Sequence, residues 1–443
     1  MPTPDELLDR LDELPAAAPL LPVLRGMDDV WLVGGAVRDL LLGGAPVDLD
    51  VVVVGDAPAV ARALAERLGG ELLQHDRFGT ATVRAAGHSY DVVRARAETY
   101  ARPGALPDVR PGTLAEDLAR RDFTVNAIAL SLDGRLEAVP HAFDDLAAGR
   151  LRVLHPVSFR DDPTRLLRLV RYATRLRFAV EQETATWARE AVDGGALETV
   201  TGTRIGGELR LLLREPAAAE ALAEVARWGA GDALVPGLSF DAELAARAGA
   251  LLPPDGRSDL LLLAVAAVRV APRRLTGWLD ALGFTARERD TVVGAAGGAK
   301  RVADRLRALA AAGVADASGP VRDGGAGDVG GVGADAGVPD VRGPVRPSAV
   351  AALLRGASPE QAALAGALAG EEAAALVAGW LARDRHVTLE IDGDDLRAAG
   401  VPQGAAIGRA LAAARDAKLD GAARDRDAEL AAALAVVGPE PRA

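Results

Sequence analysis

The stretch from Trp31 to Val54, WLVGGAVRDLLLGGAPVDLDVVVV, constrains the fold of this chain more than any other. A short apolar entry (Trp31, Leu32, Val33) meets the pair Gly34-Gly35. Arg38 and Asp39 then open a Leu-rich turn, and Pro46 leads into Asp48-Leu49-Asp50 and four valines. The valine run predicts a buried strand. Side chains two apart on a strand share a face, so Asp48 and Asp50 stand side by side at its start.

Two carboxylates that close repel each other, and a buried strand face rarely tolerates them unless a cation lies between them. Oxygen ligands at a cleft suit Mg²⁺, which takes one or two carboxylates and completes its shell with water and substrate phosphates. Gly34 and Gly35 carry no Cβ, so the backbone there can approach a phosphate closely. Arg38 is spaced to neutralise a triphosphate oxygen. Taken singly, the glycine pair is also an ordinary turn and Asp48 a solvated strand-start residue. In combination, GGAVRD followed by DLD and a valine run resembles the signature of the nucleotidyltransferase superfamily that includes polymerase beta. Within it the match is to class II tRNA nucleotidyltransferases (CCA-adding enzymes) and bacterial poly(A) polymerases.

The resemblance implies an α+β fold, with an N-terminal polymerase beta-like head built on a mixed β-sheet and an all-α neck, body and tail behind it. Laid on this sequence, the head takes residues 1–148 and a base-recognising helical neck 149–215. A helical body takes 216–314, a low-complexity insertion expected to be disordered 315–347, and a tRNA-binding helical tail 348–443.

Composition agrees with a multi-domain globular protein: 443 residues, 49% hydrophobic. Zero cysteines exclude disulfides and thiolate metal sites. No apolar run reaches membrane-spanning length and the N-terminus is acidic, so a soluble cytoplasmic protein is expected, with no membrane and no protein partner. A formal charge of −12 argues against a surface that coats nucleic acid throughout. Lys300 and Lys418 are the only lysines. The arginine bias suits phosphate recognition, and coding bias would produce it equally. Five histidines are too scattered for a metal-hydrolase domain.

Along the head, Asp56 is expected to cap a helix from Pro58 to Leu68 that ends at Gly69-Gly70. Residues 71–75, 80–84 and 90–94 read as short strands. Asp91 opens the last of these, either as a third carboxylate for the metal or the attacking hydroxyl, or as a water-facing edge acid. Residues 98–112 hold Pro103, Pro107, Pro111, Gly104 and Gly112, and read as a surface loop placed to act as a lid. In the resembling enzymes a flexible loop in this interval is associated with adding the terminal A, which disfavours a CC-only transferase.

Thr113 and Glu116 form a capping box for a helix that delivers Arg120-Arg121-Asp122-Phe123-Thr124-Val125-Asn126. This matches the family's RRDFTxNA motif nearly letter for letter. By resemblance, Arg121 contacts the nucleotide phosphates and Asp122 helps hold the ribose; a capping ion pair is the plainer reading. Val139 stands where the family has an aspartate before Pro140, so only a linker role is assigned there, around Asp145.

Farther on, Asp161 or Asp162 is expected to cap a helix entered at Pro163, with Arg165, Arg168 and Arg171 on one stripe and Leu166, Leu169 and Val170 inward. Such a stripe is commonly a solvated face. Here it resembles the family motif EDxxRxxRxxRF, with Asp161 in place of Glu and Tyr172 in place of Phe. The resemblance implies that Asp162 and Arg165 read the base, and that Arg168 and Arg171 bind phosphate or hold the site. The donor and acceptor logic is sound, since Asp accepts from an exocyclic amino group and Arg donates to ring acceptors. Arg204 and Glu208, four apart, are expected to pair and brace the neck. In the tail, Lys418 and Arg409 are candidates for phosphate contact, or members of a plain helix.

The function implied is template-independent addition of CCA, or of its terminal A, to the tRNA 3′ end from CTP and ATP. Asp48 and Asp50 would hold Mg²⁺. Poly(A) addition is the near alternative. A small-molecule nucleotidyltransferase or a non-catalytic RNA-binding protein is the distant one.

Overall fold

The structure, a computed structural model, describes residues 2–46, 48–75, 80–317 and 345–437. The chain divides into two units, Met1–Pro236 and Gly237–Ala443. Among the described residues no helix is long and apolar enough to cross a membrane.

In the first unit the apolar runs become sheet strands. In chain order these are β1 (Val30–Val33), β2 (Leu49–Val53), β3 (Glu71–His75), β4 (Thr80–Ala85) and β5 (His88–Arg94), then β6 (Arg96–Thr99), β7 (Asp108–Pro111), β8 (Ile128–Ser131) and β9 (Leu136–Ala138). Seven of them form one mixed sheet in the order β3-β4-β5-β2-β1-β8-β9. Only β2 and β5 run parallel in it. Every residue of β1 is buried, as is every residue of β2 except Asp50. A continuous β-branched run is what a strand covered on both faces demands, and Asp50 is the one break in it. The helix Ala57–Leu68 begins at Asp56, whose side chain accepts from Ala59 N, and ends on Gly69 in the left-handed region.

Residues 98–112 are not the continuous loop that their prolines suggest. β6 and β7 pair antiparallel from Arg96↔Pro111 to Thr99↔Asp108, so only 100–107 is irregular. Pro107 precedes β7 and Pro111 ends it, positions where a missing N–H breaks little of the ladder.

Behind the head, helix Thr164–Leu176 carries the arginine stripe. Leu166, Leu167, Leu169 and Val170 are buried, and so are Arg165 and Arg171, which excludes a solvated face. Asp161 ends the short helix Ser158–Asp161. Asp162 caps the arginine helix from outside it, with Oδ1 accepting from Thr164 N (3.0 Å) and Thr164 Oγ1 (2.6 Å). Asp145 is 1% exposed and accepts from Thr124 Oγ1 and Arg152 Nε, both at 2.9 Å. It therefore ties the end of the head to the strand residues that follow.

Helix Gly202–Leu213 overturns one expectation. Arg204 and Glu208 do not pair with each other. Arg204 reaches Asp162 (2.7 Å), and Glu208 bridges Arg168 (3.0 Å) and Arg171 (3.3 Å). Each finds a less solvated partner than an i,i+4 neighbour on a helix surface would be.

The second unit is helical throughout its described residues. Helix Pro359–Ala369 is almost wholly buried and packs on helix Ala286–Ala317. A small residue also lets it approach helices Ala242–Leu251 and Glu371–Ala382: a Cβ at Gly366 would lie 3.1 Å from Val377 Cβ and 3.0 Å from Leu251 Cδ1. A separate apolar cluster joins Ile391, Leu396, Val401, Ala410, Ala414 and Ala433. Beside it Lys418 is paired to Glu429 (2.5 Å), whose side chain is fully buried, and to Glu390 (3.5 Å), so its charge is already matched. Of the low-complexity stretch 315–347, residues 315–317 belong to helix Ala286–Ala317 and 345–347 are described, whereas 318–344, on which the expectation of disorder falls, lies outside the described residues.

Candidate active site

A cavity of about 390 Å³ opens in the first unit where β1, β2, the β6–β7 hairpin and the arginine helix meet. Its lining holds Gly34, Gly35, Asp50, Arg121, Asp122, Asp162, Arg165 and Arg168, eight of the residues singled out from sequence. It also holds Arg96, Glu98, Tyr100, Pro107, Arg120, Asn126 and Tyr172, which were given no role there. Five arginines and four carboxylates in so small a space make a site for a ligand that is itself strongly charged.

At one end, β1 turns into helix Gly35–Leu41 through Gly34, whose φ of 72° is in the left-handed region. A Cβ at Gly34 would lie 2.8 Å from Arg121 Nη1 and 3.9 Å from Asp50 Oδ2. The glycine therefore admits both a conformation and a close approach that another residue would block.

Asp50 lies beside this turn, on the strand next to β1. Asp50 and Asp91 are register partners on the parallel pair β2 and β5, hence on one face. Asp48 is exposed just before β2. Thr82 on β4 donates to Asp91 Oδ1 at 2.7 Å and fixes its orientation. The Asp50 carboxyl is held above the usual carboxylate range, first by desolvation and then by Asp91 and Asp48, with Arg121 opposing. Like-charged neighbours that raise one another's pKa are what a cation relieves. Among the described residues no three acids or imidazoles converge tightly enough to enclose a metal alone. The donors are hard oxygens from two adjoining strands, a set that fits Mg²⁺ sharing its shell with substrate.

Arg121 Nη2 donates to Asp117 Oδ2 at 2.9 Å, while its buried Nε has no partner. Burial pushes Asp117 up, yet Arg120 and Arg121 outweigh it and hold it below the carboxylate range. Asp122 is fully enclosed in bonds. Its Oδ1 accepts from Phe123 N (2.8 Å) and Asn126 Nδ2 (3.0 Å), and its Oδ2 accepts from Arg168 Nε (2.9 Å) and Nη2 (2.7 Å). Burial opposes its charge, but Arg168 and Asn126 prevail and hold it down to about 2.

Arg38 and Arg171 do not reach the cavity. Arg38 is 2% exposed under the glycine turn, donating from Nε to Asp39 (2.8 Å) and from Nη1 to Asn126. Arg171 is bound by Glu208 and Glu215, each at 3.3 Å. Both stack on Tyr172, at 5.3 and 4.7 Å from the ring centre. A hydrogen-bonded chain thus runs Arg38, Asn126, Asp122, Arg168, Glu208, Arg171, Glu215 and joins the turn to the neck.

Asp162 and Arg165 also line the cavity. Asp162 Oδ1 carries Thr164 and Arg204, and among the described residues Oδ2 takes no bond. Arg165 donates to Ser158 Oγ (2.6 Å) and Arg120 O (2.7 Å).

Asn126 was in plain view as the last letter of RRDFTVN. Arg204 and Glu208 had a spacing signal that pointed to the wrong partners. Tyr100 had none, lying in a stretch that reads as loop.

Residues 30–152 match the poly(A) polymerase head domain family. The A-adding tRNA nucleotidyltransferase of Halalkalibacterium halodurans is 44% identical over 217 residues, 47% of this chain and 49% of the relative. The CC-adding enzyme of Deinococcus radiodurans is 42% identical over 217 residues, 47% of this chain and 56% of the relative. The chain spans about half the length of these two curated relatives. Among solved structures, an apo CCA-adding enzyme is similar over 98% of both chains, at 28% identity and a TM-score of 0.79. The Thermotoga maritima CCA-adding enzyme complexed with tRNA aligns over 98% of this chain and 99% of that one, at 27% identity and a TM-score of 0.76. With Asp50, the RRDFTVN segment and the arginine helix gathered on one cavity, residues 30–152 are similar to the poly(A) polymerase head domain family, and the chain as a whole is similar to solved CCA-adding enzymes.

Proposed function

We propose that this protein extends the 3′ end of tRNA, transferring CMP and AMP, or AMP alone, from CTP and ATP with release of pyrophosphate. One observation carries the reading: Asp50, Arg121, Asp122, Asp162 and Arg165 line one cavity, so a carboxylate suited to a cation, an arginine suited to phosphate and an acid–arginine pair suited to a base edge open on the same space. The relatives are named A-adding and CC-adding tRNA nucleotidyltransferases, and similar structures contain tRNA, CTP or ATP.

Asp48 and Asp50, with Asp91 beside them, would hold Mg²⁺. Bound there, divalent cations neutralise triphosphate charge and acidify the attacking hydroxyl. The chain's own residues do the rest. Arg121 binds phosphate oxygens, and the Gly34 turn lets them approach. A new bond forms between the tRNA 3′-oxygen and the α-phosphorus, the bond from that phosphorus to the bridging oxygen breaks, and the hydroxyl proton passes to the carboxylate row. Asp162 Oδ2 accepts from the exocyclic amino group common to cytosine and adenine, and Arg165 donates to the ring. Arg168, held between Asp122 and Glu208, keeps that edge of the cavity rigid. All four acceptor sites of Asp122 are in use, so contact with a ribose hydroxyl requires one of its bonds to exchange. We place the activity in the cytoplasm, where its tRNA and nucleotide substrates are found.

Incubation with tRNA lacking CCA and with tRNA ending in CC, with ATP and CTP singly and together, tests the reading. Incorporation of C then A marks a full CCA enzyme, and A only on the CC end marks an A-adding one. Long A tracts mark poly(A) polymerase, and no incorporation with any combination overturns the reading.

A further inference from the structure

A base held edge-on by Asp162 and Arg165 still needs a surface for its flat face. Two aromatic residues line the cavity, Tyr100 and Tyr172. The Tyr172 ring is already occupied: Arg38, Arg168 and Arg171 lie 5.3, 5.4 and 4.7 Å from its centre, and Phe123 meets it edge-on at 5.9 Å. Tyr100 is held differently. Its hydroxyl donates to Glu98 Oε2 at 3.1 Å, and Glu98 Oε1 takes Arg96 (2.9 Å) and Arg120 (3.2 Å). That anchor fixes one end of the side chain. The backbone just beyond is pinned as well. Gly104 N donates to Arg160 O at 3.0 Å, Gly104 O accepts from Arg204 at 3.1 Å, and a Cβ at Gly104 would collide with Thr199.

The phenol itself stays neutral. Burial first, then the Glu98 carboxylate, pushes it up to about 12, with Arg165 and Asp162 both close enough to be felt. Tyr100 therefore offers an uncharged ring beside the two groups that would read the base. Apart from the two tyrosines and the glycines, Pro107 is the one apolar residue that lines the cavity, and it has no π-face.

We propose that the Tyr100 ring is the platform on which the incoming base stacks, and that it sets the balance between purine and pyrimidine nucleotides. The proposal rests on the reading of this cavity as a nucleotide site. Stacking on an aromatic side chain tolerates every base, and the larger purine face gains more from it. Tyr100 is thus a specificity residue that acts on the face of the base, separate from the edge read by Asp162 and Arg165.

The test uses the full chain with Tyr100→Phe and Tyr100→Leu, measuring kcat and KM for ATP and KM or Ki for CTP on matched tRNA ends. Tyr100→Phe keeps the ring and should stay within about two-fold of wild type. Tyr100→Leu should raise KM for ATP by about ten-fold, and the CTP constant by about three-fold, with kcat little changed. An ATP to CTP ratio unchanged in Tyr100→Leu overturns the proposal. So does Tyr100→Phe as damaging as Tyr100→Leu, which would place the effect in the Glu98 anchor. Should Tyr100→Leu fail to fold by circular dichroism, Tyr100→Trp decides: KM for ATP held or lowered supports the platform, and a rise overturns it. A wild type that incorporates neither nucleotide defeats the parent reading instead.

Discussion

One oxygen of Asp122, Oδ2, accepts two donors from Arg168, Nε at 2.9 Å and Nη2 at 2.7 Å, across a gap from the head to the arginine helix. Glu208 holds the same guanidinium from its other side at 3.0 Å. Burial alone would raise the Asp122 carboxyl and weaken Arg168 as a cation, yet the pairing drives both the other way. The bond between head and neck is therefore a charged one, and its strength depends on pH.

Asp122 sits near 2 in the fold against 3.8 ordinarily. A depressed acid stabilises the fold above its unfolded value, and that contribution is lost as pH falls through its folded value. Asp122→Asn should therefore be less stable than wild type at pH 7 by about 2 kcal/mol. The gap should close between about pH 4 and pH 2, as urea midpoints measured across that range would show.

Asp50 has the opposite sign. Its carboxyl is raised by desolvation, Asp91 and Asp48, so the ionised form is unfavourable in the fold without a cation. Without added metal, Asp50→Asn should melt at or above wild type at pH 7. The difference should vanish as pH drops below the ordinary aspartate value of 3.8 and both states protonate. With Mg²⁺ the order should reverse, because only wild type can gain from the ion. Nucleotide incorporation by the variant should fall by at least about a thousand-fold.

Much of this site is legible in the letters alone. Gly34-Gly35, Asp48 and Asp50, RRDFTVN and the three-residue arginine period each concern neighbours within one element, where spacing fixes geometry. What spacing cannot fix is which distant side chain a charge will meet. Arg38 has the position of a phosphate ligand but is 2% exposed, because Asn126 and Tyr172 close over it. Arg204 and Glu208 have the spacing of a helix pair but face different partners on the arginine helix and before it. The hairpin of β6 and β7 is masked by prolines at its margins.

Gly34→Ala tests the phosphate turn without touching a charge. The new Cβ would meet Arg121 Nη1 at 2.8 Å on a backbone at φ 72°. An alanine at φ 72° and ψ −133° costs roughly 1–3 kcal/mol, and the displaced guanidinium loses its aim at the cavity. KM for nucleotide should rise about ten-fold or more. Asp117 should keep the protein folded through Arg120, which melting curves would confirm.

Arg204 joins three parts of the site with one guanidinium: Nη2 on Asp162 Oδ1 at 2.7 Å, Nη1 on Gly104 O at 3.1 Å, and its own helix Gly202–Leu213 behind. Arg204 and Asp162 keep 22% and 20% of their side chains exposed, so losing the ion pair should cost no more than about 1 kcal/mol of stability. The consequence for function is larger, because Asp162 loses the donor that orients its free oxygen and the 100–107 segment loses an anchor. Arg204→Ala should lower kcat/KM about ten-fold for every nucleotide the enzyme uses. It should also make the chain cut faster by chymotrypsin after Tyr100. Arg204→Lys keeps the charge but cannot span both partners with a planar fork, so it should restore stability and leave most of the kinetic defect. Equal kinetics in Arg204→Ala and wild type would mean that Asp162 is set by Thr164 alone.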